Sequence, residues 1–302
     1  MTLSNVRDLF EAAKRSARFR REMKALERGV VRRPAPHHPD PRSWPDTGLH
    51  AAWIGHATVL LKVEGKWILT DPVLSRKIGI RVAGHTVGPE RHVSPALRIE
   101  EIPRPDLLLI SHAHFDHLDL PTLRRIPRDV PVVSATGLGD LLKRFTHRTE
   151  LKWGASTQVA GIDVQALQVK HWGARMITDR HRGYNGFLLE HAGRRIVFGG
   201  DTAMTDAFKK VKGPVDLALM PIGAYDPWIA NHASPEEAWA MAGMMRSERV
   251  LAIHHQTFRL SREPMDEPIR RLLAAAGSEA WRVSGREVGE SVAIEGRVKS
   301  EK

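Results

Sequence analysis

The sequence carries the stretch Ser111-His112-Ala113-His114-Phe115-Asp116-His117-Leu118-Asp119 directly after the apolar run Leu107–Ile110. The apolar run predicts a short buried strand, and the stretch predicts a loop that leaves the end of that strand. Three imidazoles and a carboxylate within six residues form a donor set that suits zinc, iron or manganese. The alternative is a surface loop that is merely rich in histidine, in which four ligand-type side chains would have no task. The sequence therefore predicts a metal centre at this strand end.

Composition is that of an ordinary globular protein. The chain has 302 residues, of which 42% are hydrophobic, and this length suits one large domain or two small ones. No stretch approaches the roughly 20 apolar residues of a transmembrane helix. Cysteine is absent, which excludes disulfides and thiolate ligands. The N-terminus has no apolar segment of the secretory type, so we expect a cytoplasmic protein, with peripheral contact at the inner membrane face as a variant of that expectation.

The first 48 residues differ in composition from the rest. Residues 1–42 hold eleven Lys and Arg against five Asp and Glu, which is over half of the formal net charge of +11. Hydrophobic spacing predicts a basic amphipathic helix over residues 5–28. Residues 1–33 would then be a helical arm that either packs on the domain or lies on a membrane interface. Five prolines predict an extended linker over residues 34–48, and residues 49–302 form the domain proper.

Within residues 49–302, predicted strands and helices are interspersed. The predicted helices include residues 137–145, residues 203–211 and a helix that starts at the capping-box sequence Ser234-Pro235-Glu236-Glu237. Strands near both ends of the domain predict an α/β fold with two sheets covered by helices. Residues 75–105 show little periodicity and predict a long functional loop.

Three further ligand-type residues each follow a predicted apolar strand. They are His171, Asp201 and His254, with His255 as an alternative to His254. Each residue alone is typical of a hydrogen-bonded structural position. Together with residues 111–119 they repeat one arrangement, and a two-metal hydrolytic centre needs about three ligands per ion and a shared bridge. The dispersed residues are therefore candidates to complete the metal centre.

These residues resemble the metal-binding motifs of the metallo-β-lactamase-fold hydrolases. Within that superfamily, residues 53–58 (WIGHAT), 221–225 (PIGAY) and 252–254 (AIH) resemble the phospholipase D branch that hydrolyses N-acyl-phosphatidylethanolamine, in the same order along the chain. The resemblance covers about residues 49–290, and the N-terminal arm lies outside it. It implies a four-layer αββα sandwich, which is the metallo-β-lactamase fold.

The resemblance also implies a role for each ligand. Two divalent ions would be held side by side with a hydroxide between them as the nucleophile, and Asp71 would hold the ligand loop without binding a metal. Zn²⁺ is the expected metal, with iron or manganese as alternatives. The implied ligands are His112, His114 and His171 for one ion, Asp116, His117 and His254 for the other, and Asp201 as the bridge.

Three more residues are candidates for contact with the substrate. His232 precedes the helix cap at Ser234, where free N–H groups favour an anion, and the resemblance places it near the substrate; a structural role is the alternative. Tyr225 follows a predicted strand at the same rim, and we expect it in a polar lining. His56 lies in a glycine turn, where it would either support a ligand or face the substrate. The predicted catalytic residues are Asp116, Asp201 and His232.

The expected reaction is hydrolysis of a phosphodiester by a metal-bridging hydroxide, of phospholipase D type on N-acyl-phosphatidylethanolamine or a related phospholipid. Two dications, two carboxylates and a hydroxide leave one positive charge, which favours an anionic substrate. The alternatives are a lactonase of the sugar-phosphate lactone type and a nuclease. Nucleic acid is not an expected partner, because much of the basic charge lies in the arm. The expected partners are a phospholipid or other anionic phosphodiester, a membrane surface contacted by the arm, and a second copy in a homodimer.

Overall fold

The computed structural model describes residues 18–19, 21–28, 31–176 and 179–295. Within these residues, two seven-stranded sheets face each other across a shared core. The first sheet contains, in spatial order, Ser291–Ile294, Leu49–Gly55, Thr58–Val63, Lys66–Thr70, Leu107–Ile110, Val132–Ala135 and Arg148–Leu151. The second contains Val283–Ser284, Arg249–Ile253, Leu217–Pro221, Arg194–Phe198, Gly186–His191, Ile162–Leu167 and Ser156–Val159. A separate hairpin consists of Ile80–Val82 and His85–Val87.

Apolar side chains hold the layers together. Leu60 and Leu108 of the first sheet belong to the same buried cluster as Phe187 and Ile196 of the second. A second cluster joins the second sheet to the two longest of the described helices, and the short helix Leu120–Leu123 packs its buried leucine into the first cluster. This arrangement confirms the predicted αββα sandwich. The α-helices are Leu120–Leu123, Pro235–Met244 and Glu267–Ala276, and the 3₁₀ helices are Pro41–Ser43, Asp206–Lys210 and Gly277–Arg282.

Parallel strands bring the predicted ligands to one edge of the molecule. Leu107–Ile110 runs parallel to both of its neighbours in the first sheet, and Leu217–Pro221 runs parallel to both of its neighbours in the second. Side chains that follow the carboxyl ends of parallel strands meet in the crevice at that edge. The fold thereby collects loops that are distant in sequence.

Some predicted helices are wrong in detail. Residues 137–145 form successive turns, although Leu138, Leu142 and Phe145 are buried with helical spacing. Gly137 has a φ of 77°, which lies outside the helical region, so a helix cannot start there. The predicted helix 203–211 is only a short 3₁₀ helix, whereas the helix after Ser234 is confirmed with its complete capping box. No helix among the described residues has the length and apolar character needed to cross a membrane.

The described part of the arm packs on the domain. Residues 18–19 and 21–26 are helical, while residues 1–17 and 20 lie outside the described part of the chain. Met23 is buried, and Glu22 forms an ion pair with Arg262 at 2.9 Å. These contacts support the first of the two roles considered for the arm, which is packing on the domain.

Residues 34–48 contain no β-strand and no α-helix, which agrees with a linker, but the segment packs against the domain. They include the 3₁₀ helix Pro41–Ser43, and the Trp44 ring stacks on Trp67 with ring centroids 5.7 Å apart. The Trp44 carbonyl also accepts a hydrogen bond from Lys62 Nζ at 2.6 Å. The segment lies against the first sheet because its aromatic and proline side chains gain contacts there.

Candidate metal centre

The ligand loop, residues 111–119, is fixed at its base by Asp71. This residue directly follows the strand Lys66–Thr70. Its Oδ1 accepts a hydrogen bond from the Ser111 backbone N–H at 2.8 Å. Its Oδ2 accepts hydrogen bonds from the Ser111 hydroxyl and from His117 Nδ1, the latter at 2.6 Å. These bonds turn His117 Nε2 toward the other ligands. Asp71 thus lies where the predicted supporting carboxylate is needed.

Arg175 holds the same loop from outside. Its Nη1 donates to the carbonyls of Ala113 and Leu118, both at 2.8 Å. Its guanidinium lies 3.9 Å from the centroid of the Phe115 ring. The two carbonyls bracket the middle of the loop, so one side chain restrains the three ligands between them. The sequence analysis did not identify Arg175. The one sequence feature that could have pointed to it is its position four residues after the predicted ligand His171.

Three imidazoles converge at one end of the site. His114 Nδ1 lies 2.8 Å from His112 Nε2 and 3.2 Å from His171 Nε2. His171 donates from Nδ1 to the Asn231 carbonyl at 2.9 Å, and Ser111 Oγ lies 2.9 Å from His112 Nδ1. These outer contacts leave the Nε2 lone pairs of both rings directed at His114. The three nitrogen atoms lie close enough together to bind one metal ion.

The same three imidazoles are neutral. Burial lowers the pKa of His114 to about 3 and that of His171 to about 4. Burial, together with neighbouring imidazoles, holds the pKa of His112 well below its usual range. Neutral imidazole is the form that binds a cation, so these residues need not lose a proton first.

A carboxylate joins the imidazoles at the other end of the site. Asp116 Oδ2 lies 3.4 Å from His254 Nε2 and 3.7 Å from His117 Nε2, and it accepts a hydrogen bond from His56 Nε2 at 2.9 Å. His254 has a φ of 64°, and its backbone N–H donates to the His56 carbonyl at 2.9 Å. This left-handed turn after the strand directs the His254 ring back into the site.

Asp201 lies between the two groups of ligands. The preceding Gly200 permits this position, because a Cβ there would lie 2.7 Å from a neighbouring carbonyl oxygen. All seven predicted ligands are therefore brought together, and we call them the ligand cluster. Asp201 Oδ2 lies 3.1 Å from His117 Nε2 and from His254 Nε2, 3.8 Å from His171 Nε2 and 4.0 Å from His112 Nε2.

The carboxylates stay ionised in this buried place. Burial alone would raise the pKa of Asp116 and Asp201, but His117 and His254 outweigh it and hold both values well below the usual range. Burial likewise opposes charge on the two imidazoles, yet the carboxylates raise the pKa of His117 and bring that of His254 to about 9. The field at this end of the site thus favours positive charge.

Unpaired buried atoms show that the residues fit a metal. Among the described residues, Asp201 Oδ1 and Oδ2, His117 Nε2 and His254 Nε2 are buried and make no well-formed hydrogen bond. Such atoms cost stability unless a partner satisfies them. A divalent cation would satisfy all of them, and imidazole nitrogen with carboxylate oxygen suits zinc, iron or manganese.

His56 does not face the substrate, so that part of its prediction is corrected. It is 1% exposed, and its Nε2 hydrogen bond supports Asp116 from behind. His255 also lies outside the cluster, because its Nε2 donates to the Gly285 carbonyl at 3.0 Å. Of the adjacent pair, only His254 points at the carboxylates.

Tyr225 is likewise not in a substrate-facing polar lining. Its hydroxyl donates to Glu267 Oε1 at 2.8 Å, and the Arg271 guanidinium lies 4.8 Å from its ring centroid. Burial, reinforced by the bond to Glu267, raises the pKa of Tyr225. The side chain turns toward the helix Glu267–Ala276, which a strand-end position alone did not reveal.

His232 does border the site. Its Nδ1 lies 3.8 Å from Asp201 Oδ2 without a well-formed hydrogen bond to any described residue. Its ring centroid is 4.9 Å from that of His171. Burial holds the pKa of His232 well below its usual range, so the ring is neutral. It thus offers one free ring nitrogen beside the carboxylate.

A pocket of about 330 Å³ opens onto the ligand cluster. Its polar side is formed by His114, Asp116, Asp201 and His232. Most of the remaining lining consists of large apolar residues from loops and from the arm, and we call this part of the lining the apolar wall. Sequence analysis did not assign these residues to the pocket. The apolar wall comprises Phe19, Ile78, Phe115, Trp172, Trp228 and Leu260, and the Phe19 and Trp228 ring centroids are 5.1 Å apart.

The sequence profile of the Beta-lactamase superfamily domain matches residues 66–255, which is more than half of the chain and includes every member of the ligand cluster. The chain belongs to the beta-lactamase superfamily. Within this superfamily, an uncharacterized protein of Mycobacterium tuberculosis is 35% identical over 249 residues, covering 76% of this chain and 65% of that protein. The N-acyl-phosphatidylethanolamine-hydrolyzing phospholipase D 1 of Caenorhabditis elegans is 34% identical over 235 residues, covering 70% of this chain and 65% of that protein. The chain thus spans somewhat under two thirds of the length of these relatives.

Solved structures agree on the fold of this superfamily member. An isothiocyanate hydrolase from Delia radicum gut bacteria superposes with a TM-score of 0.65 at 18% identity, covering 82% of this chain and all of that chain. The profile match and the superposition confirm the metallo-β-lactamase fold, and the matched region carries a candidate His/Asp metal-binding cluster.

Proposed function

We propose that this chain is a dinuclear metal-dependent hydrolase that cleaves phosphodiesters, with a phospholipid of the N-acyl-phosphatidylethanolamine type as its substrate. The position of Asp201 is the observation that carries the proposal. Its Oδ2 lies within 4.0 Å of Nε2 atoms from both ends of the ligand cluster. A carboxylate shared by two groups of ligands is the arrangement that holds two ions side by side.

Bound divalent ions, with Zn²⁺ expected, would supply Lewis-acid activation of water and of a phosphoryl oxygen. The residues of the chain determine where that chemistry takes place. Asp201 fixes the spacing between the two ends of the ligand cluster, and Asp71 and Arg175 hold the loop that carries four of its members. One ion would be held by His112, His114 and His171, the other by Asp116, His117 and His254, and both by Asp201.

We infer that His232 contacts the substrate phosphate. Its neutral ring borders the pocket beside Asp201. The helix Pro235–Met244 begins three residues later, but its capping box and first-turn glutamates already satisfy that N-terminus, so the imidazole ring itself would supply the contact. We assign His232 a hydrogen bond to a phosphoryl oxygen, which would orient the P–O bond that water cleaves.

The two-sided pocket supports an amphiphilic substrate. Its polar side suits a phosphodiester, and its apolar wall suits hydrocarbon. The similarity to the C. elegans phospholipase supports the same substrate class. A nuclease is the weaker candidate, because the pocket over the ligand cluster is lined by apolar side chains without a lysine or arginine. Water attack with loss of the alcohol would give a phosphatidic acid and an N-acylethanolamine.

The test combines metal loading with a substrate screen. Purified protein loaded with zinc, manganese or iron is offered N-acyl-phosphatidylethanolamine in detergent micelles, a soluble phosphodiester and a sugar-phosphate lactone. We expect metal-dependent release of the N-acylethanolamine and hydrolysis of the soluble phosphodiester. Turnover of the lactone with both phosphodiesters inert would overturn the proposal in favour of a lactonase.

A further inference from the structure

A short hairpin beside the pocket carries an uncovered apolar face. Residues 80–87 form it, around a two-residue turn in which both residues have positive φ. Ile80 pairs with Val87, and Val82 lies two residues from Ile80, so these three side chains share one face. Val82 is 57% exposed and Val87 is 62% exposed. None of the three belongs to an apolar core within the described residues.

The root of this hairpin is part of the pocket. Gly79 and Gly88 cross so closely that a Cβ on either would lie 2.1 Å from the carbonyl oxygen of the opposite segment. Ile78 and Gly79 line the pocket over the ligand cluster. The hairpin is therefore held at a fixed place at the mouth of the site.

Two further segments bring exposed apolar side chains to the same mouth. Met176 lines one groove together with Ile80 and another together with Trp172 and Trp228. Trp172 and Trp228 are themselves part of the apolar wall, and Ile229 is exposed next to Trp228. The three segments thus border one opening.

We call the exposed apolar side chains of these three segments the apolar rim. The rim holds seven of the eleven exposed large hydrophobic side chains among the described residues. Single exposed hydrophobic residues are ordinary, but their concentration around one opening is typical of an interaction surface. Two of the seven are tryptophans, which favour the boundary between water and lipid.

The groove between the hairpin and Met176 carries positive charge. Its volume is about 410 Å³, and its lining has more basic than acidic side chains. Arg81 alternates with Ile80 and Val82 along the strand and is exposed on the opposite face. Among the basic residues of the lining, Lys77 pairs with Glu90, and Arg182 pairs with Asp140 and Asp179. The positive charge therefore comes from Arg81, Arg124 and Arg175, against the acidic Asp119.

We propose that the apolar rim docks onto the surface of an anionic phospholipid bilayer, with the hairpin tip inserted below the headgroups and the basic groove against their phosphates. Each hairpin strand spans roughly 10 Å, which matches the depth to which interfacial elements enter a bilayer. Docking in this pose presents the mouth of the pocket to the lipid phase. The inference rests on the proposed function in one respect, since a lipid substrate would enter through that mouth.

Charge and shape favour lipid over a protein partner for this surface. A bilayer offers hydrocarbon beneath a layer of phosphates, and the rim offers apolar tips beside basic side chains in the same order. This site differs from the arm, for which sequence analysis considered both packing on the domain and contact with a membrane. The described part of the arm packs on the domain through Glu22 and Met23.

Co-sedimentation of the full chain with vesicles of phosphatidylcholine, with and without phosphatidylglycerol, tests the docking. We expect binding to the mixed vesicles, and a loss of about tenfold or more in the double variant Val82→Asp, Val87→Asp, since both side chains leave hydrocarbon. Arg81→Gln should weaken binding by about fivefold on mixed vesicles only. Val31→Asp is the matched control, because Val31 is 79% exposed outside the rim.

The outcomes separate this inference from the proposed function. The variants at Arg81, Val82 and Val87 should keep wild-type hydrolysis of a soluble phosphodiester, because none of these three side chains lines the pocket over the ligand cluster. A wild-type chain that hydrolyses phosphodiesters but ignores vesicles would overturn the docking alone. A chain that binds vesicles through the rim but hydrolyses no phosphodiester would overturn the proposed function alone.

A second copy of the chain is the competing occupant of the rim. Analytical ultracentrifugation of the wild type and of the Val82→Asp, Val87→Asp variant distinguishes the two. We expect the same mass for both. A wild-type dimer that becomes monomeric in the variant would make the rim a self-association surface and would overturn the membrane proposal.

Discussion

The two sides of the pocket are built in different ways. The ligand cluster sits at strand ends, where buried sheets fix the backbone and Asp71 fixes the rings. The apolar wall comes from loops and from the arm, and two of its members, Trp172 and Trp228, are partly exposed. The buried sheets therefore hold the ligand cluster rigidly, whereas the substrate-binding part of the pocket depends on loops that can change without disturbing the sheets. Changes to the cluster should therefore abolish chemistry, while changes to the wall should alter substrate preference.

Asp201→Asn should have the largest effect. Loss of an outer partner of a metal ligand already costs about 10–100-fold, and Asp201 contacts both ends of the cluster directly, so we expect turnover to fall by more than about a hundredfold. Hydrolysis of a soluble phosphodiester at saturating metal measures the effect. The control is Asp163→Asn, an exposed strand residue whose Oδ1 accepts a hydrogen bond from Gln158 Nε2. Wild-type turnover in Asp201→Asn would contradict the assignment of Asp201 as the residue that bridges the two metal ions.

Asp71→Asn should come next. The amide cannot accept from His117 Nδ1 and from the Ser111 N–H in the same way, so the His117 ring loses its fixed orientation. We expect metal affinity to fall by about 10–100-fold, measured by chelator competition. Asp106→Asn is the control, since Asp106 accepts from Trp67 at the other end of the same strands. Equal metal affinity in the two variants would contradict the supporting role of Asp71.

Arg175→Met should have a smaller effect on the cluster. The change removes two hydrogen bonds to the ligand loop and keeps much of the apolar contact with Phe115. We expect metal affinity to fall by about tenfold, because charged hydrogen bonds of this kind contribute about 1.5–3 kcal/mol. Arg175→Lys should give an intermediate loss. If neither Arg175→Met nor Arg175→Lys changes metal affinity, the hydrogen bonds from Arg175 to the ligand loop have no influence on the metal centre.

Phe19→Ala tests the wall and should have the smallest effect on chemistry. Loss of this ring removes apolar contact with a long-chain lipid, so we expect kcat/KM for the lipid to fall by about fivefold. Hydrolysis of a soluble phosphodiester should not change. Leu26→Ala, an exposed change on the same helix, is the control. An equal loss on both substrates would show that the arm acts on the metal centre and not on the lipid.

The contrast between the ligand cluster at strand ends and the apolar wall on loops also explains which site residues the sequence could predict. His171, Asp201 and His254 were recognisable because each follows an apolar strand, and parallel strands in a sheet bring their ends together. The wall had no such signal, since Phe19 is far away in sequence and the loops that carry Trp172, Trp228 and Leu260 have no periodicity. Their places depend on tertiary contacts.

The two corrected substrate residues have the same cause. His56 and Tyr225 both follow strands on the correct edge, but the direction of each side chain depends on partners distant in sequence. His56 bonds Asp116, and Tyr225 bonds Glu267. A strand-end position predicts proximity to the site without predicting which way a ring turns.

The central claim is that Asp201 joins two ion sites in one cluster. Native mass spectrometry of the wild type and of Asp201→Asn, each saturated with zinc, tests it most directly. We expect two divalent ions per wild-type chain and a loss of at least one in the variant. A wild-type chain that takes up a single ion, or a variant that keeps both, would contradict it.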